Sequence, residues 1–138
     1  MSTSKILVAG IVGGIVALVI GFLTYGIALE SFFQANMGSA SGVMKSQEQL
    51  QWIPLILGHI AMGLLFAVIY GRWANISTFS TGAKAGAVIG FLVGAAFGLI
   101  NFATTNIANL TATLVDIVIS AIMSAIVGGI VALMLGRK

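Results

Sequence analysis

The chain has no cysteine, a single proline and three acidic residues, and charged side chains occupy only 7% of its 138 positions. Without cysteine there are no disulfides, no thiolate metal sites and no thiol catalysis, and the redox compartment is left open. The one proline, Pro54, sits at the start of a hydrophobic stretch, where its missing N–H costs little, so no predicted helix is broken from within. A water-soluble domain carries about 25% charged residues. With 59% hydrophobic residues and a mean hydropathy of +1.16, this chain has too few polar groups to cover a surface facing water. It reads as an all-α integral membrane protein of one domain. The net charge of +3 does not point to nucleic acid. The basic residues border the hydrophobic stretches, where they orient the chain and meet membrane lipids.

A spanning helix needs about 20 apolar residues. Four stretches qualify: Ile6 to Leu29, Trp52 to Tyr70, Ala83 to Phe102 and Leu110 to Leu135. The first is too long for the core of a cleaved signal peptide and reads as a retained helix. Residues 31–51 form the only sizeable loop; the connection from Ala103 to Asn109 is short and makes the last two spans a tight hairpin. Lys5, Arg72, Lys84, Arg137 and Lys138 all fall on one side of a four-span bundle. The other side has Glu30, Glu48, Asp116 and Lys45. The positive-inside rule then predicts both termini in the cytoplasm. Gly63-Leu-Leu-Phe-Ala-Val-Ile-Tyr-Gly-Arg72 aligns with Gly128-Gly-Ile-Val-Ala-Leu-Met-Leu-Gly-Arg137, so two hairpins of like orientation, an internal repeat, are a further expectation.

What the chain has in abundance is glycine, 18 in all, set in rows of small residues four apart. One row is Gly82, Gly86, Gly90, Gly94 and Gly98. A second is Ser120, Ser124, Gly128, Ala132 and Gly136. Ala9, Gly13, Ala17 and Gly21 form a third, and Gly63, Ala67 and Gly71 a fourth. Residues i and i+4 share a helix face, and small ones there let helix backbones approach inside lipid (small-xxx-small, GxxxG), where no hydrophobic effect drives helices together. Whether each row faces its own bundle or a partner chain is open at this stage.

Polar side chains inside the spans are the candidate functional residues. Tyr25 follows Gly21 on its row, His59 precedes Gly63, Asp116 precedes Ser120, and Asn101 lies just beyond Gly98. Counting about 1.5 Å per residue from the basic anchors puts Tyr25, Asp116 and Asn101 in one layer near the far headgroups, and His59 deeper. Ser120 and Ser124 lie nearest His59 by that reckoning. His59, the only histidine, reads first as an imidazole bonded to a serine. The alternatives are a proton-linked relay, a haem or pigment ligand, or the base of an intramembrane Ser124 hydrolase, for which no nucleophile-elbow or oxyanion-hole pattern is present. Asp116 reads first as a carboxylate favoured by the start of a helix, with a cation- or proton-binding role as the alternative.

Gly21-Phe-Leu-Thr-Tyr-Gly26, Glu30-Ser-Phe-Phe, Gly71-Arg-Trp-Ala-Asn-Ile-Ser-Thr-Phe79 and Leu114-Val-Asp-Ile117 together resemble small four-helix membrane proteins of Bacteroidetes-type bacteria, a group of unknown function. The resemblance implies a four-span fold in a bacterial inner membrane and no functional residues. The leading functional expectation is an accessory, non-enzymatic protein that packs through its small-residue rows against itself or a larger membrane complex. The rivals are a small oligomeric transporter or channel with a polar route through His59 and Asp116, and a haem- or pigment-binding subunit.

Overall fold

The computed structural model describes residues 1–137; Lys138, counted above among the basic residues, lies outside them. Among the described residues the chain is all-helical, with four helices long and apolar enough to cross a membrane: Thr3–Ala28, Trp52–Ala74, Phe79–Thr104 and Leu110–Gly136. It is a multi-pass membrane protein by length and composition. Helix α1 covers Thr3–Gly21 and runs on as a π-helical stretch, Phe22–Ala28. Short helix α2 is Glu30–Ala35. Helix α3 is Trp52–Val68, again with a π-helical tail, Ile69–Ala74. Helices α4 (Phe79–Thr104) and α5 (Leu110–Gly136) complete the chain.

Three helix starts are set by the residue types that suit them. Ser2, Thr78 and Asn109 each accept a backbone N–H of the following turn. The π-helical tail of α3 ends at Asn75, which takes the left-handed conformation (φ 51°), a geometry asparagine tolerates better than most residues. Helix α4 begins at Phe79, four residues before its apolar run, because hydrogen bonding continues through Ser80 and Thr81 once Thr78 caps them. The segment after the first span is also more ordered than a plain loop, since α2 and a single 3₁₀ turn at Gln47–Gln49 occupy its two ends.

Glycine decides how the helices sit. At the end bearing the termini, a methyl group on Gly10 or Gly14 would run into the backbone of Leu64 or Ile60, and one on Gly63 would strike the Gly10 carbonyl and Gly14. Here α1 and α3 touch backbone to backbone. Gly10 and Gly14 lie outside the Ala9–Gly21 row; that row turns further round, so that Gly13 meets Val131 of α5 as well as Gly63. The same holds between α4 and α5. Gly82 lies against Gly128 and Ala132, Gly86 against the Ser124 carbonyl, and Gly90 against Ser120 and Ser124.

Toward the other end, which we call distal, both seams loosen. Gly94 meets mainly the Ser120 side chain, and Gly98 meets only Ile117 and Thr113 side chains, at 3.5 Å. On α1, Gly21 finds only the tips of His59 and Met123. The core therefore lies in the terminal half. Phe66, Tyr70, Val131 and Leu135 are its largest fully buried side chains. The Tyr70 hydroxyl crosses between hairpins and donates to the Gly82 carbonyl at 2.7 Å. At the same end Lys5 Nζ donates to the Arg137 carbonyl, and Arg72 donates to Thr3 Oγ1 at 2.5 Å.

The distal end is held by a different device. Gly38 N–H donates to Ile107 O and Ala40 N–H to Asn106 O, both at 2.9 Å. Asn109 N–H donates to Asn36 O at 3.0 Å, and the Asn109 side chain donates to Asn36 Oδ1 at 3.1 Å. This clasp ties the segment after α2 to the α4–α5 turn. Gly38 is required there, because a side chain would collide with the Asn106 carbonyl. Asn109 serves both the clasp and the α5 N-cap, so Asn109→Ala is expected to cost about 1–2 kcal/mol. Thermal melts in detergent, with Asn106→Ala as the neighbour that contributes only its backbone, check this.

Candidate functional site

Splayed helices below and a clasp above border a cavity of about 870 Å³ in the distal half, open along one side. All four spanning helices contribute to it, as do α2 and the segment leading to α3. Its walls are mainly apolar and aromatic, including Phe22, Phe33, Trp52 and Phe102.

His59 lines the inner end of this space. Helical side chains lean toward their helix N-terminus. In α3 that direction is distal, so the imidazole lies back over its own preceding turn and Nδ1 is 2.8 Å from the Leu55 carbonyl. A carbonyl only accepts, so Nδ1 carries a hydrogen, and in that tautomer of the uncharged imidazole Nε2 is an acceptor. Nε2 faces Gly21, where any side chain would crowd it. Ser120 and Ser124, placed beside His59 by depth, are turned elsewhere: Ser124 rests on Gly90 and Ser120 on Gly94 of α4, with the Ser120 hydroxyl also beside that of Tyr25. Counting residues gives height but not azimuth, and α5 commits its serine face to α4. Ser124 and His59 therefore form no nucleophile–base pair.

One turn above Gly21 on α1, about 6 Å higher, the Tyr25 hydroxyl donates to Asp116 Oδ1 at 2.5 Å. Such short O–H···O⁻ contacts are characteristic of charge-assisted hydrogen bonds. Tyr25 lies within the π-helical stretch, whose wider turn offsets side chains from the α-helical register; π segments recur at functional sites. Its ring also packs on Phe33 of α2, with centroids 5.4 Å apart. Asp116 lies in the second turn of α5, half-buried and facing the cavity. Asn101 also lines the cavity but is exposed, and no side-chain hydrogen bond ties it to Tyr25 or Asp116.

No family model, curated protein or solved structure matches this chain. The site is thus read from its own chemistry. Among the described residues, no three His, Asp or Glu side chains gather closely enough to hold a metal ion. Of the six polar candidates, Tyr25, His59, Asn101 and Asp116 border the cavity, while Ser120 and Ser124 belong to the α4–α5 seam. The clasp residues Asn36 and Asn109, and the aromatic walls, escaped the sequence reading. Asn109 caps α5, and its second partner, 73 positions away, has no local signal in the sequence.

Proposed function

We propose that this chain is an accessory protein of a bacterial inner membrane, without catalysis of its own, that holds a lipophilic molecule between the distal ends of its helices. The observation that carries the reading is the cavity: its volume falls in the range of small-molecule sites, and its walls are mostly apolar with a few inward polar groups. The absence of a Ser124–His59 pair favours binding over chemistry. The basic residues favour cytoplasmic termini, which would put the cavity in the outer half of the bilayer. The backbone seams of α1 on α3 and α4 on α5 fit two hairpins of like build. The glycine rows are largely occupied within the chain, so contact with a second copy or a larger complex would fall to faces such as that of α3 around Gly58, which has no neighbour within 4 Å.

The transporter reading has less support. Among the described residues, the large side chains Phe66, Tyr70, Val131 and Leu135 fill the interior toward the terminal end. A pigment or haem on His59 Nε2 would occupy the same cavity and would colour the purified protein.

The test is to extract the protein with its surrounding lipid in polymer nanodiscs and identify bound small molecules by mass spectrometry. One lipophile is expected in near-stoichiometric amount and at least severalfold enriched over the bulk membrane. It should be lost in Gly26→Phe, a change that adds bulk to the cavity wall where only Phe22 of the same helix is near. Bulk lipid composition in the wild-type sample, identical to that of Gly26→Phe, would refute the proposal.

A further inference from the structure

Four of the cavity's polar side chains have already given their hydrogens away, whereas the exposed Asn101 and Lys45 keep their donors. Tyr25 donates its hydroxyl to Asp116. Thr113 donates to the Asn109 carbonyl at 3.0 Å, and Thr105 to the Asn101 carbonyl at 2.7 Å. His59 Nδ1 is bound to Leu55 O, leaving Nε2 as a lone pair. Asp116 accepts through Oδ1 only, so Oδ2 has no protein donor. Carboxylates and bare imidazole nitrogens accept, and an acceptor in an apolar space lowers its energy by finding a donor.

Charge points the same way. Glu30, Asp116 and Lys45 are the formally charged side chains lining the cavity, and no ion pair joins any of them. Two carboxylates against one ammonium leave a negative excess. Lys45 and Glu30 sit exposed at the rim, where solvent screens them, whereas Asp116 is half-buried among apolar walls. Around it stand aromatic faces, Tyr25 and Phe33 at 5.4 Å and Trp52 across the space, of the kind that attract organic cations.

Resting on the cavity reading above, we propose that the occupant is a lipophilic organic ammonium: its alkyl or aromatic body lies along the apolar walls, and its cationic head sits against Asp116 Oδ2. A neutral lipid would satisfy the walls but leave the charge of Asp116 unanswered. An anionic one would be repelled. The pairing of Tyr25 with Oδ1 holds the carboxylate in place and keeps the phenol from competing for the ligand.

The test uses Trp52 as reporter, in the Trp73→Phe background so that it is the only tryptophan. The protein is placed in zwitterionic lipid nanodiscs and titrated with a bromine-tagged long-chain alkylamine, and in parallel with the alcohol of the same chain and tag. Saturable quenching is expected for both, with the amine at least about tenfold tighter, the difference a charge-assisted hydrogen bond makes. Asp116→Asn keeps an oxygen for Tyr25 and turns the free acceptor into an N–H donor. It should abolish the preference for the amine, and an unchanged melting temperature and circular-dichroism spectrum report that the fold is intact. Equal affinities of the two probes for the wild-type protein would overturn the ammonium assignment and leave the cavity reading standing. An amine preference that survives Asp116→Asn would overturn it as well. If neither probe quenches saturably, both readings fall.

Discussion

Gly86→Leu is expected to separate α4 from α5 and to destabilise the protein by about 3 kcal/mol or more, the upper end of the cost of overpacking. The first carbon of the new side chain would lie on the Ser124 carbonyl and close to Ala125 Cα. Those are backbone atoms of a helix, which cannot turn aside as a side-chain tip can. Relief requires the helices to part, and parting them also lifts Gly82 and Gly90 off α5. The informative control is Gly58→Leu on α3, where nothing stands within 4 Å. It should melt within a few degrees of the wild type, or slightly above it, because glycine is the weaker helix former. Thermal unfolding in detergent, followed by circular dichroism, compares the two. Similar melting temperatures would show that glycine content, rather than position, is what matters.

Tyr70→Ala is the second large effect. Tyr70 has no exposed surface, packs against Phe66 with centroids 5.8 Å apart and bonds the Gly82 carbonyl. Removing a buried aromatic side chain costs about 3–5 kcal/mol in a soluble core. Inside lipid the lower end applies, about 3 kcal/mol, because the unfolded reference is also apolar and only packing is lost. Tyr70→Phe separates the components: it keeps the ring, removes one hydrogen bond and leaves the Gly82 carbonyl its helical partner, so about 1 kcal/mol is expected. Equal losses for both variants would assign the stabilisation to the hydroxyl.

How much of this was legible in the sequence depends on what each signal measures. Apolar run length located four helices, because a bilayer demands it, but it placed their ends at the edges of the apolar runs. The helices instead continue to their caps, and Ser80, Thr81 and Arg72 are helical. Four-residue spacing marked the glycines that α4 presents to α5. It missed Gly10 and Gly14, which make the closest approach to α3, because a helix flanked by two others needs small residues on two faces. Depth counting put Tyr25 and Asp116 at about one height, and they are joined. It gave His59 the wrong companions because a level contains every direction around the helix. The cavity itself had no sequence signal. It arises from the loss of backbone contact beyond Gly14 and Gly90, which is a property of helix pairs rather than of any one segment.

On the proposed function, the clasp between residues 36–40 and 106–109 would govern how a molecule reaches the interior. With the two hairpins pinned together there and interlocked by glycine at the opposite pole, neither extremity is free to hinge. What is left uncovered is one face of the first half of α3, where Ile53 and Leu57 are 74% and 60% exposed and a side chain on Gly58 would meet no neighbour. Traffic would accordingly pass sideways, out of the plane of the acyl chains and past this helix, so the composition and fluidity of the surrounding leaflet would set its rate more than anything dissolved in the water outside.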